Sequence, residues 1–285
     1  MSDLLHHLDA LCQRTDATAR VATDPVAFVH RYPNPADAEV AGLYAAGLAY
    51  GRVDLFRPVL QAWFDHLDTL GGPRAAVDAW APGRHVPAHP LIYRWNRGVD
   101  LDLLTGALHL ALGPHPVSAL FHTPGPMAQR LGHAVSTLRA AMIEAARQLG
   151  LPATTDADLP RGARYLLPHP RSGSACKRLN LYLRWMVRPA DGVDLGLWTH
   201  IRPAELVIPL DVHVGRVSRF LGLTTRQDAS WRTACEVTDA LRRLDPADPV
   251  RFDFALAHLG ISDACLGTRH AEVCPACPLD AVCRA

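Results

Sequence analysis

Apolar residues recur along most of the chain at the three- and four-residue spacing of amphipathic helices. The stretch 36–51 (ADAEVAGLYAAGLAYG) is rich in alanine and leucine, and its first turn carries two acidic residues, as the helix dipole favours. Apolar positions at helical spacing continue over 53–70 and stop at a Gly-Gly-Pro sequence. The same spacing predicts helices over 101–113, 127–149, 174–187, 211–221, 229–244 and 250–259, and a short one near 194–198.

The segments between these helices are short and rich in proline and glycine. A proline- and histidine-rich loop is predicted over 81–90, and 154–170 is predicted to be a long irregular connector. No alternating pattern typical of strands persists for more than a few residues, and no repeat is visible. The sequence therefore predicts an all-α fold of about ten helices.

Length and composition limit the classes of protein that this chain can belong to. A chain of 285 residues with 49% apolar content can bury a large core, as one domain or as two lobes. The first twenty residues lack the apolar centre of a signal peptide, and the longest nearly apolar stretch, 40–50, is too short to cross a bilayer. We expect a soluble, cytoplasmic protein without a membrane partner.

Charge is balanced overall but not locally. The net charge of +1 provides no global basic field for nucleic acid. The segment 161–190, however, contains no acidic residue and seven basic ones: Arg161, Arg164, Arg171, Lys177, Arg178, Arg184 and Arg188. This segment favours contact with a polyanion, and the alternative is an ordinary solvated basic face.

Lys177 is the only lysine of the chain, against 28 arginines. A guanidinium stays protonated in proteins, whereas a lysine amine can lose its proton and attack carbon. A chain that uses arginine for every other positive charge therefore makes Lys177 a candidate for amine chemistry. The alternative is a surface lysine left by chance.

Four of the seven cysteines lie at the end of the sequence, in the spacing C-x8-C-x2-C-x5-C: Cys265, Cys274, Cys277 and Cys283. Two thiolates three residues apart can bind one metal centre from a tight turn, and the outer two can complete the coordination. Four thiolates suit an iron–sulfur cluster or a structural zinc ion, and the spacing alone does not choose between them. Disulfides are the less favoured reading in an intracellular protein.

This cysteine spacing resembles the C-x6-C-x2-C-x5-C loop of the endonuclease III and adenine-glycosylase group of helix-hairpin-helix DNA glycosylases. The last two intervals match, and the first is two residues longer here. The run 208–217 (IPLDVHVGRV) resembles the catalytic segment of archaeal-type 8-oxoguanine DNA glycosylases, and its aspartate, Asp211, lies 34 residues after Lys177. The chain also resembles a bacterial family known by a domain-of-unknown-function label, through EVAGLYAAGLAYGRV, GSACKRLNLYLRWMVR and DPVRFDFALAHLGI.

The resemblance implies that Lys177 is a nucleophile, that Asp211 is the catalytic carboxylate and that the four cysteines hold a [4Fe–4S] cluster. Independently, Asp211 stands where a helix N-cap is expected, before an apolar stripe that ends at Gly222. The alternative role for Asp211 is capping alone.

The DNA contacts implied by the resemblance are less well matched. The family hairpin is rich in glycine, whereas 167–177 (LPHPRSGSACK) has one glycine and two prolines. Backbone amides at 173–175 and the charge of Arg171 could still bind a phosphate. The predicted DNA contacts are Arg171, Ser172, Gly173, Ser174, Arg178, His213 and Arg216. The predicted base-pocket residues are Asp253 and Trp231, with a surface carboxylate and a core tryptophan as the alternatives.

The sequence thus predicts a two-lobed helix-hairpin-helix glycosylase-like unit over 1–262 and a cluster loop over 263–285. The expected activity is a DNA glycosylase/AP lyase for oxidised bases, with 8-oxoguanine favoured, acting as a monomer on damaged DNA in the nucleoid. Two alternatives stay open: an oxidised-pyrimidine glycosylase, and a non-catalytic nucleic-acid-binding protein on the same scaffold.

Overall fold

A computed structural model describes residues 2–84, 91–261 and 265–285, and in this part of the chain it is all-α, as predicted. The helices are α1 Ser2–Arg14, α2 Ala17–Val21, α3 Ala27–His30, α4 Pro35–Leu48, α5 Val53–Thr69, α6 Pro73–Asp78, α7 Gly98–Leu112, α8 Met127–Gln148, α9 Arg161–Leu166, α10 Lys177–Val187, α11 Val212–Phe220, α12 Trp231–Arg242 and α13 Asp253–Ile261. Two short antiparallel strands, β1 Ile92–Tyr93 and β2 Asn96–Arg97, pair Ile92 with Arg97 and Tyr93 with Asn96. No described helix is long and apolar enough to cross a membrane.

The long helices predicted from apolar spacing are present, and two local predictions are wrong. The predicted connector 154–170 contains α9, and the predicted helix near 194–198 is not formed. Instead, Leu195 and Trp198 donate backbone hydrogen bonds to the carbonyls of Trp185 and Met186 at the end of α10. Part of the predicted 81–90 loop (85–90) and the predicted boundary between 262 and 263 lie outside the described residues.

The chain divides into two compact units. Residues Val21–Ser172 form one, here called the central unit, and Met1–Arg20 with Gly173–Ala285 form the other, here called the terminal unit. In the central unit α7 lies along α8 with very close backbones: a Cβ at Gly106 would come within 2.5 Å of the Trp80 ring and 2.9 Å of Ala145. Glycine at that position is what permits the close helix contact.

In the terminal unit α11 packs against α13, and α1 also contacts α13. Gly260 allows α13 to pack closely against α11, because a Cβ at this position would lie only 2.7 Å from the Cβ of His213. Short 3₁₀ turns at Cys274–Ala276 and Asp280–Val282 shape the cysteine loop. The loop is attached to α1 by hydrogen bonds from His7 to the carbonyl of Pro278 (2.7 Å) and from Arg14 to that of Ala276 (3.3 Å).

Candidate active site

Lys177 is the first residue of α10, and the backbone before it is held on both sides. Residues 173–175 pair with 229–231 in an isolated antiparallel bridge between Ser174 and Ser230. In this bridge the amide of Trp231 donates to the carbonyl of Gly173 (3.1 Å), and the amide of Ala175 donates to Ala229 (3.3 Å). Cys176 then adopts a left-handed conformation (φ 49°, ψ 37°), which is uncommon for a residue with a Cβ. The start of α10 therefore has one defined direction.

Asp211 is the N-cap of α11. Its Oδ1 accepts hydrogen bonds from the amides of His213 and Val214, both at 2.9 Å. The preceding residues are anchored in the core: Ile208 and Leu210 are buried, and the amide of Ile208 donates to Thr238 Oγ1 at 3.0 Å. One carboxylate oxygen is thus committed to the helix, and the other is left to face a different partner.

That partner is Lys177, whose Nζ lies 3.0 Å from Asp211 Oδ2. The lysine side chain is 35% exposed and the aspartate 15%, so the pair is reachable from solvent. Burial raises the pKa of Asp211, but the nearby Lys177 ammonium and the Val214 amide outweigh burial and hold that pKa below its usual range. A carboxylate at this distance can accept a proton from the amine or stabilise positive charge beside it.

Asp253, the first residue of α13, lies behind this pair. It is 2% exposed, and its Oδ2 accepts from Arg184 Nη1 at 2.5 Å. Burial raises its pKa to about 6, against the lowering effect of Arg184, and the charges of Asp211 and Lys177 also reach it. Its Oδ1 is buried without a hydrogen-bond partner among the described residues. Asp253 is therefore neither the surface carboxylate of the alternative reading nor openly accessible to a base.

Arg184 belongs to a buried charge network that neutralises much of the basic segment. Its Nε donates to Asp194 at 3.0 Å, and Arg188 binds Asp194 as well as Asp248, the latter at 2.8 Å. Arg178 is 7% exposed. The expected basic surface is wrong for Arg184 and Arg188, because Asp194, just after the segment, and Asp248 and Asp253, far along the sequence, pair with them inside the terminal unit. Burial also leaves Arg178 no open guanidinium for a phosphate.

The remaining predicted DNA contacts are divided between the two units. Arg171 and Ser172, both exposed, end the central unit, and Gly173 and Ser174 begin the terminal unit. The amide of Ala175, expected to be free for a phosphate, is used in the bridge to Ala229. Trp231 is half-buried at the start of α12.

His213 and Arg216 face α13 and the cysteine loop. His213 Nδ1 is 2.5 Å from the carbonyl of Gly260, and Arg216 Nη2 donates to the carbonyls of Gly260 (3.0 Å) and Cys265 (3.3 Å). These contacts connect α11, and with it Asp211, to the cysteine loop. The sequence predicts a DNA-contacting role for both residues but does not predict that they connect α11 to the cysteine loop.

All four loop cysteines are free thiols of intermediate exposure. No three His, Cys, Asp or Glu side chains in the described residues are gathered closely enough to hold one metal ion. Burial raises the pKa of Cys277, and the other three loop cysteines raise it further, so each of the three lies near Cys277. The amide of His270 donates to Cys274 Sγ at 3.2 Å, a bond that suits a sulfur carrying negative charge.

Comparison with known proteins places this chain in a family and does not name an activity. A search of curated proteins and a search of solved structures each gave no match. One family model matches residues 24–262, which include α10, α11 and α13 with the Lys177–Asp211 pair. The chain belongs to the family described as "Protein of unknown function (DUF2400)".

Proposed function

We propose that this protein is a DNA glycosylase with AP lyase activity that uses Lys177 as its nucleophile. The observation that carries the proposal is the 3.0 Å contact between the only side-chain amine of the chain and a carboxylate fixed by a helix N-terminus. An arginine would serve as well as lysine for a purely structural ion pair here, and arginine is what the chain uses elsewhere.

The proposed reaction starts with a damaged nucleotide flipped out of the duplex. Asp211 takes the proton of the Lys177 ammonium, and the neutral amine forms a bond to C1′ of the sugar while the C1′–base bond breaks. The bonding electrons leave with the base, which takes up the proton that the newly attached lysine nitrogen loses. Opening of the sugar ring gives a Schiff base between lysine and C1′, and loss of a C2′ proton then expels the 3′-phosphate. Asp211 also stabilises the positive charge that develops on the sugar.

An oxidised purine, 8-oxoguanine, is the proposed lesion, on the resemblance of the segment around Asp211. The exposed atoms of Lys177 and Asp211 do not by themselves favour one base over another. Trp231 remains a proposed stacking residue, since its side chain is only half-buried beside the bridge that precedes Lys177. Asp253 is proposed to hold Arg184 and shape the field around the pair rather than to contact the base.

The cysteine loop is proposed to hold a [4Fe–4S] cluster, with a structural zinc ion as the alternative. Four free thiols, with a backbone N–H directed at one sulfur, are donors that fit either metal centre. When bound, the group would stabilise the loop and, through Arg216, the start of α11, and it takes no part in the chemical steps. Iron, sulfide and zinc analysis of protein purified without oxygen would decide between the two.

The test is reduction by borohydride in the presence of labelled DNA carrying 8-oxoguanine, thymine glycol or an abasic site. Wild type should give a covalent adduct, and Lys177→Arg should give none while still binding DNA. A matched control is the double variant Arg171→Lys/Lys177→Arg, which restores an amine nearby in the sequence and should still give no adduct.

Each outcome has a definite meaning. The strongest adduct with 8-oxoguanine supports the proposed lesion, and the strongest with thymine glycol would move the assignment to oxidised pyrimidines. An adduct that persists in Lys177→Arg would refute lysine as the nucleophile. No adduct with any DNA would contradict the enzyme proposal and favour a nucleic-acid-binding protein.

A further inference from the structure

The central unit carries a surface that combines aromatic rings with arginines. It is formed by the tip of the β1–β2 hairpin, by Tyr50 just after the end of α4, and by one face of α9. Its members, here called the aromatic–arginine surface, are Tyr50, Arg94, Trp95, Arg161 and Tyr165. None of these residues belongs to the terminal unit that contains Lys177 and Asp211.

Trp95 and Arg161 form the centre of this surface. The guanidinium carbon of Arg161 lies 3.4 Å from the centroid of the indole ring, a close cation–π contact. Trp95 is nevertheless 46% exposed, an unusual amount for the largest apolar side chain. The indole is covered by Arg161 on one side and keeps enough open area for another flat ring to reach it.

The surface continues along α9. Tyr165 lies one turn after Arg161 and is 37% exposed. The rings of Tyr165 and Tyr50 have centroids 4.8 Å apart, and the guanidinium of Arg94 lies 6.0 Å from the centroid of Tyr50. The surface therefore contains two cation–ring contacts, Arg161 with Trp95 and Arg94 with Tyr50, and one contact between two rings. The guanidinium contacts of Arg94 and Arg161 are with these rings, and no ion pair with a carboxylate is found for either among the described residues.

The backbone under the surface is rigid. Asn96 is fully buried, its Nδ2 donates to the carbonyl of Gly162 at 2.9 Å and its Oδ1 accepts from the Tyr50 hydroxyl at 2.7 Å. A Cβ on Gly162 would come within 2.4 Å of the carbonyl oxygen of Trp95, so only glycine fits where α9 meets the hairpin. The rings and arginines are thus held in place before any partner arrives, which lowers the entropy lost on binding.

We propose that the aromatic–arginine surface binds unpaired nucleotides of a DNA single strand, with a base stacked against Trp95 and a phosphate against Arg161. A single strand alternates flat rings and negative charges, and single-strand-binding proteins match this with aromatic rings and cations. A duplex does not offer its base faces, so the partner is the unpaired part of the substrate. The inference rests on the proposed function only in taking DNA as the partner.

The test measures binding of a fluorescent oligothymidine by fluorescence anisotropy, with every protein carrying Lys177→Arg so that no covalent adduct can form. Trp95→Leu keeps apolar bulk but removes the ring, and should weaken binding about tenfold. Trp95→Phe should recover most of that loss. Ile92→Ala, at an exposed apolar residue of the same hairpin, and Arg147→Ala, at an exposed arginine of α8, are the matched controls and should bind as the parent does.

A second oligonucleotide of abasic sugars separates stacking from charge. Trp95→Leu should bind it as tightly as the parent does, because no base is present, whereas Arg161→Ala should weaken binding to both oligonucleotides. Unchanged oligothymidine binding by Trp95→Leu, an equal loss on both oligonucleotides, or no binding by the parent would each overturn the inference. None of these outcomes alters the borohydride result, which tests Lys177 separately.

Discussion

Helix α10 carries an accessible ion pair at its start and a buried one in its second half, and the two differ in character. At its start, Lys177 meets Asp211 with side chains 35% and 15% exposed, and two turns later Arg184 meets Asp253 with side chains 2% and 3% exposed. The buried pair uses arginine, whose charge is permanent and whose planar group can bind several carboxylates at once. The accessible pair uses lysine, whose ammonium, unlike a guanidinium, can lose its proton. The chain thus separates a structural ion pair from a proposed chemical one along a single helix.

The helix dipole sharpens this contrast. A cation in the first turn of a helix lies at the unfavourable, positive end of the dipole, whereas Asp211 as an N-cap lies at the favourable end of α11. Lys177 therefore gains little from α10 itself and depends on Asp211. Four substitutions test this difference between the buried and the accessible ion pair.

Asp194→Ala should lower the free energy of unfolding by about 3–5 kcal/mol, because it leaves buried arginine charge uncompensated. Asp194 accepts from Arg184 Nε at 3.0 and 3.2 Å and also binds Arg188. Urea unfolding of the variant and wild type measures the difference. A loss below about 1 kcal/mol would show that the remaining carboxylates hold the network without Asp194.

Asp253 should make stability depend on pH. Its folded pKa of about 6 lies above the ordinary value of 3.8, because burial disfavours the charged form. A raised carboxyl pKa contributes stability below about pH 4 that is lost as the pH rises through about 6, by about 3 kcal/mol in total. Asp253→Asn should remove this part of the pH dependence in urea unfolding series. Parallel curves for variant and wild type across that window would contradict the expectation.

Asp211→Asn should slow formation of the borohydride adduct about a hundredfold, since an amide cannot accept the lysine proton. Asparagine is as good an N-cap as aspartate, so the melting temperature should change little. Single-turnover trapping and thermal unfolding measure the two effects. If activity and stability fell together, Asp211 would be a structural cap whose loss disorganises α11.

Ser230→Ala should lower stability without changing activity, and its effect should be the smallest of the four. Ser230 caps α12 through its hydroxyl, which accepts from the amide of Thr233 at 3.2 Å. Its loss should cost about 1 kcal/mol of unfolding free energy. Because its backbone bridge to Ser174 does not need the hydroxyl, the adduct should form at the wild-type rate. A large fall in trapping would mean that the Ser230 side chain helps to position Lys177.

Local signals in the sequence predicted the helices and the N-cap role of Asp211, because periodicity and capping depend on nearby residues. The extended path of 194–198 was not predictable in this way. It follows from Asp194 being drawn into contact with Arg184 and Arg188 and from backbone hydrogen bonds to the end of α10. The basic surface expected over 161–190 is absent at Arg184 and Arg188 for a related reason, since two of their counter-charges, Asp248 and Asp253, lie far away in the sequence.

In the candidate site, too, local features were predictable from the sequence and contacts between distant residues were not. Spacing alone did not require Lys177 and Asp211 to touch; the resemblance implied a shared role, and the fold sets the 3.0 Å contact. The sequence points to Asp253 as a base-pocket residue. Its burial, however, depends on the contact with Arg184, which no local sequence pattern predicts. The Arg161–Trp95 stack also joins residues far apart in sequence, so composition and periodicity did not reveal it.

The accessible Lys177–Asp211 contact also makes the protein selective towards amine-reactive reagents. With one lysine in the chain, acylation of a lysine side chain can occur at a single position, and only while Nζ is released from the carboxylate. The rate of that modification would therefore report, in one mass shift, how often the contact opens. Any molecule that covers the amine would slow the modification, so this one residue provides a built-in footprint of occupancy.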